Sequence, residues 1–247
     1  MRELNEKEEA ARKMICLPLD GLKSMDEIKS RVEELNPVVG LFKIGKETFT
    51  RFGPAAVNLV QSYGSEVFLD LKYHDIPNTV RGAAVAASEL GVEIFDVHAS
   101  GGLEMMKAAV TGVLEADVKK KPKVIGVTIL TSIDKDVMNN QLNIPGAVDE
   151  QVLCLAKLAE EAGLSGIVCS GADLLHIRSE LSADFMFVTP GIKRQGTEAG
   201  ADQRRVTTPL NAVKDGSSIL VIGRAITGAP DRIQACLNVI EDIARVL

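Results

Sequence analysis

Tryptophan is missing from this chain and tyrosine occurs only twice, which leaves seven phenylalanines to supply almost all of the aromatic content. A core built without large rings must draw on valine, isoleucine, leucine and alanine, a composition suited to parallel sheets covered by helices. Basic excess is missing too: the formal net charge is -6, and non-specific nucleic-acid binding calls for a basic face. No run approaches the roughly 20 apolar residues of a membrane-spanning helix, so no membrane partner is expected. The opening stretch MRELNEKEEAARK lacks the apolar centre of a signal peptide. Cysteine is scarce, and Cys16, Cys154, Cys169 and Cys236 show no metal-ligand spacing. They fall mostly in apolar strands or helices, as reduced thiols of a cytoplasmic protein would. Three histidines without H-x-H or H-E-x-x-H spacing give no basis for a zinc site.

What is present is a repeated alternation. Short apolar runs recur as ICLPLD (15–20), GLFKIG (40–45), EVFLDLK (66–72), EIFDVHA (93–99), KVIGVTIL (123–130), GIVCS (166–170), FMFVTPG (185–191) and SILVIGR (218–224). Between them, MDEIKSRVEEL (25–35), TVRGAAVAASEL (79–90) and DEQVLCLAKLAEEAG (149–163) carry apolar residues at helical three- and four-residue spacings. Strand followed by helix implies parallel strands with right-handed crossovers, and about eight such units match a closed (β/α)₈ TIM barrel with outer helices. An open doubly wound sheet is the competing architecture, but the first strand is not followed by a G-x-G-x-x-G turn. No Ser-, Pro- or Gly-rich linker divides the 247 residues, so residues 1–247 are expected to form a single domain, burying roughly 70 to 75% of the unfolded surface.

Charge falls where a barrel has its mouth. Side chains alternate along a strand, so in EVFLDLK the residues Val67, Leu69 and Leu71 face the helices, whereas Phe68, Asp70 and Lys72 face inward. Asp20 closes the first strand, Lys43 lies near the end of the second, and Asp96 and His98 share one face of the fourth. Several ions at one end point to a functional array, because an unpaired buried charge is strongly destabilising and pairing offsets that cost only in good geometry; a structural ion network is the competing reading. His98 at such a place reads more readily as a hydrogen-bonded core residue than as a catalyst. His74 and His176 read as surface or loop residues.

A second concentration lies in TPGIKRQGTEAGADQRR (189–205) and VIGRAITG (221–228). A stretch that long between strand and helix suits a lid or ligand loop. Strands seven and eight of such barrels commonly hold phosphate, with Gly223 allowing close backbone approach and Arg224 offering a two-pronged guanidinium.

Together these residues resemble the orotidine 5'-phosphate decarboxylase family over nearly the whole chain. FLDLKYHDIPNTV is similar to the family's D-x-K-x-x-D-I-P-N-T motif, and LPLD, FKIGKETF, VHASGG, VTPGIKRQG, DQRR and VIGR follow in the family's order. The resemblance implies a cofactor-free carboxy-lyase that converts orotidine monophosphate to uridine monophosphate and CO₂ in pyrimidine synthesis. It implies that Lys72 is the proton donor, that Asp70 lies against the substrate carboxylate, and that Lys43 holds Asp70 and touches the ribose. Asp20 would contact ribose hydroxyls, Thr131 would meet the pyrimidine, and Gln203, Gly223 and Arg224 would bind phosphate. Asp75, Ile76 and Thr79 complete the implied substrate site, with Asp75 and Thr79 reaching into a second subunit of a homodimer. No metal is implied.

Two positions depart from the family pattern. Lys193, followed by Arg194, stands where bacterial members usually carry arginine after PGI, and a lysine offers a point charge in place of a planar fork. LPLD in place of the commoner LALD puts a proline in the first strand, near its start on this reading. The nearest rivals are phosphate-binding barrels with a D-x-K-x-x-D strand, such as 3-hexulose-6-phosphate synthase or 3-keto-gulonate-6-phosphate decarboxylase, which use Mg²⁺. A non-catalytic nucleotide-binding barrel is the third alternative.

Overall fold

Eight parallel strands pair in chain order and the eighth returns to the first, closing a barrel. They are β1 (Ile15–Pro18), β2 (Leu41–Gly45), β3 (Glu66–Tyr73), β4 (Ile94–His98), β5 (Lys123–Val127), β6 (Gly166–Val168), β7 (Met186–Thr189) and β8 (Ile219–Val221). The computed structural model describes residues 3–193 and 207–247. Among them, α1 (Glu6–Lys13) precedes the barrel, and α2 (Met25–Leu35), α3 (Lys46–Phe52), α4 (Pro54–Ser62), α5 (Pro77–Glu89) and α6 (Leu103–Glu115) connect β1 to β5. The ring is completed by α7 (Val148–Glu161), α8 (Gly171–Ile177), α9 (Pro209–Lys214), α10 (Arg224–Thr227) and α11 (Arg232–Ala244). The expected (β/α)₈ barrel is present, with α2 bounded at the predicted residues.

The alternation along β3 sorts its side chains as period two requires. Val67 and Leu69 join the apolar layer between strands and helices. Phe68 instead packs with Cys16, Leu41, Ile94, Ile125 and Val188 in a separate plug inside the barrel, so the lower interior is filled and only the upper end is left for chemistry. Burial pushes the Cys16 thiol up to about 12, making it a small apolar filler there.

Helix α2 illustrates how the outer layer forms. Ile28, Val32 and Leu35 lie on one face and are fully buried, each contributing about 1.5–3 kcal/mol relative to exposure. Ser24 caps the helix by accepting the Glu27 N–H at 3.2 Å. Asn36 and Pro37 then turn the chain through a short 3₁₀ segment, since proline cannot continue the helical hydrogen bonding.

The strands are shorter at their mouth ends than the apolar runs suggest. KVIGVTIL is paired only as far as Val127, and SILVIGR only over Ile219–Val221. Apolar character continues past the ladder because the loops above it line a cavity. Pro18 is likewise the last residue of β1 and not near its start. There the next N–H, that of Leu19, bonds to the Lys43 carbonyl at 2.9 Å, so the ladder carries on past the missing proline donor.

Candidate active site

The centre of the site is an irregularity in β3. Between Leu69 and Tyr73 the strand advances four residues, while its neighbour β4 advances only two, from Phe95 to Val97. Bulges of this kind re-aim side chains beside active sites. Lys72 takes up the excess with φ of 52°, a left-handed conformation that costs a branched-chain-free residue about 1–2 kcal/mol. The bulge also removes Lys72 from the regular ladder register. Its N–H donates to Asp96 Oδ1 of β4 at 2.7 Å, a side chain in the place of a strand carbonyl.

Around this bulge the charges alternate in sign. Lys43 Nζ of β2 stands 2.9 Å from Asp70 Oδ2 and 3.1 Å from Asp20 Oδ2, just past β1. Lys72 Nζ contacts Asp70 Oδ1 and lies 3.7 Å from Asp96 Oδ2. The Lys43 and Asp70 side chains are each 10% exposed, whereas that of Asp20 is 48% exposed. Strong coupling therefore belongs to Lys43 and Asp70, while the Asp20 arm is softened by water. Gly45 makes room for this arm: a Cβ there would stand 2.8 Å from Asp20 Oδ1 and 2.9 Å from Lys43 Nζ.

Protonation follows from burial and neighbours. Burial opposes charge on Asp70, but Lys43, a hydrogen bond with Asp96 and the Lys72 ammonium together outweigh it and lower the carboxyl to about 2. Burial likewise opposes charge on Lys43, yet Asp70 and Asp20 raise it above the ordinary lysine range. Asp96 goes the other way. Full burial, then the neighbouring Asp70 charge, push it well above the usual carboxylate range, despite Lys72. Burial, with His74 and then Lys46 and Lys72 nearby, lowers His98 to about 4, so it is neutral at pH 7. Its ring lies 5.4 Å from that of His74.

A cavity of about 190 Å³ opens above the array. Lys43, Asp70 and Lys72 form one wall, Thr131 and Leu130 come from the segment after β5, and Val127, Val168 and Val221 give an apolar opposite side. That combination fits a flat, mostly apolar ring with a charged substituent aimed at β3. Cys169 lines the same cavity. The sequence shows Cys169 only as one of four reduced thiols, and the signal for Gly45 is its place two residues beyond Lys43, on the same strand face.

Of the residues expected at the site, Asp20, Lys43, Asp70, Lys72 and Thr131 are brought together. Asp75, Ile76 and Thr79 are instead exposed around the start of α5, with Ile76 67% exposed. The Asp75 carboxylate accepts the N–H of Ile76 at 2.7 Å. Gly223 and Arg224 begin α10 at the end of β8. The Gly223 φ of -95° demands no glycine, but a Cβ would come 3.3 Å from Pro18 Cγ. Lys193 donates its N–H to the Thr207 carbonyl at 2.9 Å, and the Thr207 N–H bonds to the Gly191 carbonyl at 3.2 Å, so the flanks of the long loop are tied together. Arg194 and Gln203 lie outside the described residues. Among the described residues, no group of three or more His, Cys, Asp and Glu side chains is arranged to hold a metal, and no helix is long and apolar enough to cross a membrane.

Fold and site together define a (β/α)₈ barrel whose reaction centre is a set of fixed, alternating ions at the C-terminal ends of its first strands. Its chemistry is that of charge stabilisation. The chain belongs to the family described as orotidine 5'-phosphate decarboxylase / HUMPS, whose sequence profile matches residues 13–239. An orotidine 5'-phosphate decarboxylase of Moorella thermoacetica is 46% identical over 218 residues, spanning 87% of this chain and 86% of that protein. Another, from Syntrophus aciditrophicus, is 44% identical over 249 residues, spanning 100% and 98%. The crystal structure of orotidine 5'-phosphate decarboxylase from Lactobacillus acidophilus superposes with a TM-score of 0.82 at 35% identity, covering 93% of this chain and 98% of that one.

Proposed function

We propose that this protein is an orotidine 5'-phosphate decarboxylase that works without metal or organic cofactor, as a single barrel domain over residues 1–247. The observation that carries the reading is the Asp20–Lys43–Asp70–Lys72 chain of ions, of which Lys43, Asp70 and Lys72 line the mouth cavity. Family membership and the printed names of the relatives agree with it.

Loss of CO₂ from the pyrimidine C6 leaves an electron pair in the ring plane, where the π system cannot delocalise it. Enzymes lower barriers by about 8–23 kcal/mol and one preorganised donor contributes about 3–4, so several effects must add. Asp70, held ionised by its two lysines, faces the substrate carboxylate and disfavours the bound ground state; that repulsion ends as CO₂ departs. The Lys72 ammonium stabilises the carbanion as it forms and then delivers a proton to C6. Lys43 fixes Asp70 and, with Asp20, meets the ribose hydroxyls. Thr131 meets the pyrimidine edge.

Phosphate is held in this reading by Gly223, Arg224, Gln203 and Lys193, with Arg194 beside it. Binding energy at this remote group drives closure and offsets the carboxylate repulsion. Asp75 and Thr79, exposed on their own chain, reach the site of a second copy, so the working unit is a homodimer, with Ile76 beside them in the substrate site. The four cysteines, none of them joined in a disulfide, suit a reducing cytoplasm.

The deciding experiment follows the ultraviolet absorbance of orotidine 5'-phosphate, with and without a chelator. Equal, complete conversion to uridine 5'-phosphate in both arms is expected. Absence of turnover in both arms overturns the activity, and loss on chelation overturns the metal-free mechanism.

A further inference from the structure

Asp96 has no part in the mechanism above, yet it is the most enclosed ion-forming group of the site, with no exposed surface at all. From β3 it meets Asp70, Lys72 and Tyr73, and its paired neighbour on β5 is the apolar Ile125. Its two oxygens do different things. Oδ1 accepts the Lys72 N–H at 2.7 Å, at the one residue of β3 whose φ is positive. Oδ2 is buried and accepts no hydrogen bond among the described residues; the Lys72 ammonium at 3.7 Å is outside hydrogen-bond range.

We propose that Asp96 is a positioning residue for decarboxylation: as a neutral carboxyl it pins the bulged main chain of Lys72 through Oδ1 and braces Asp70 through a proton on Oδ2. The inference rests on the functional reading above and adds to it a residue that contacts no substrate. A carboxylate oxygen buried without a donor is costly, and a second carboxylate beside it makes it costlier. A proton on Oδ2 removes both penalties, since it turns two mutually repelling acceptors into a donor and an acceptor. Burial and the Asp70 charge act in the same direction, raising Asp96 while the lysines keep Asp70 ionised. The Asp70–Asp96 hydrogen bond thus settles which of the two acids is charged, and the backbone bond settles where the ammonium is carried.

The bond from Oδ1 matters because the bulge leaves the Lys72 N–H without a strand carbonyl. Without an acceptor, the part-buried donor draws the chain toward some other partner, and the ammonium moves with it. Geometric errors of about 1 Å at a reacting group cost on the order of 100-fold in rate. Asparagine preserves the essentials: its amide oxygen accepts from Lys72 and its NH₂ donates to Asp70, with no charge at any pH.

The test compares purified wild type, Asp96→Asn and Asp96→Ala by steady-state kinetics on orotidine 5'-phosphate. Wild-type turnover decides the underlying activity by itself; only the variants, measured against it, bear on Asp96. Asp96→Ala is expected to lose about 10- to 100-fold in kcat with KM changed less than about threefold, as for a group acting on the reacting step. Asp96→Asn is expected to retain both parameters within about threefold. Near-normal kcat in Asp96→Ala overturns the proposal, and so does an Asp96→Asn loss exceeding tenfold, which would mean that an ionised carboxylate is required. Native-state hydrogen exchange at the Lys72 amide of the wild type serves if Asp96→Ala does not fold: strong protection is expected, and exchange as fast as an exposed loop amide overturns the pinning bond.

Discussion

Lys43 and Lys72 share the carboxylate of Asp70 but not its environment, and their substitutions should part accordingly. Lys43 joins Asp70 behind a nearly closed surface, each side chain 10% exposed, whereas the Lys72 side chain is 22% exposed at the cavity. Breaking a buried pair from one side typically costs about 3–5 kcal/mol because the remaining charge is left uncompensated. Lys43→Ala should therefore lower the urea midpoint markedly as well as turnover, with the loss softened by the contact Asp70 keeps with Lys72. Lys72→Ala should leave Asp70 paired with Lys43, keep a midpoint close to wild type and nearly abolish kcat. Parallel urea titrations and rate measurements check the contrast; a Lys72→Ala variant with near-normal rates would remove Lys72 from the proposed chemistry.

At the scale of elements, the site is divided between rigid strand ends and the connections above them. β2 and β3 deliver the ions from within the barrel, held by the apolar plug below. On the proposed reading the phosphate end falls to α10, four residues long, and to a loop whose flanks are tied by Lys193 and Thr207. Strand-mounted groups hold reacting atoms to a fraction of an ångström, while short helices and loops can close on a ligand. Arg224→Ala is accordingly expected to raise KM on the order of 10-fold or more, as loss of a charge-assisted phosphate contact does, while turnover at saturation falls less steeply. Orotidine without its phosphate should lose kcat as well as affinity, because remote binding energy offsets strain at the carboxylate. Initial-rate series on both substrates check this; equal kcat for the two would end the linkage.

For the whole molecule, the exposed Asp75-Ile76 corner is the feature that a single barrel leaves unexplained. Ile76 is 67% exposed at the start of α5, next to an acid that the sequence motif puts with the reaction centre. A second copy that covers Ile76 and receives Asp75 accounts for both. The test uses complementation: Lys72→Ala and Asp75→Asn chains, each inactive alone, are mixed after dissociation and reassembly. Half of the dimers are then mixed and each holds one intact site, so activity should return to about a quarter of wild type. No recovery, with mixed dimers demonstrated by mass, would place Asp75 in its own chain's site.

The sequence by itself determined the architecture and the polarity of the site. Eight apolar runs separated by helical spacings admit few arrangements other than a closed parallel barrel, and the two-residue spacing of Phe68, Asp70 and Lys72 fixes one shared face. Tertiary structure decided what depends on neighbours in other strands: that β3 bulges at Lys72, that Gly45 clears space for Asp20 and Lys43, and that Asp96 is fully buried beside Asp70, which pushes its carboxyl well above the usual range. The reason is that strand periodicity is local and written along the chain, whereas a side chain's charge state is set by burial and by ions brought to it across the barrel.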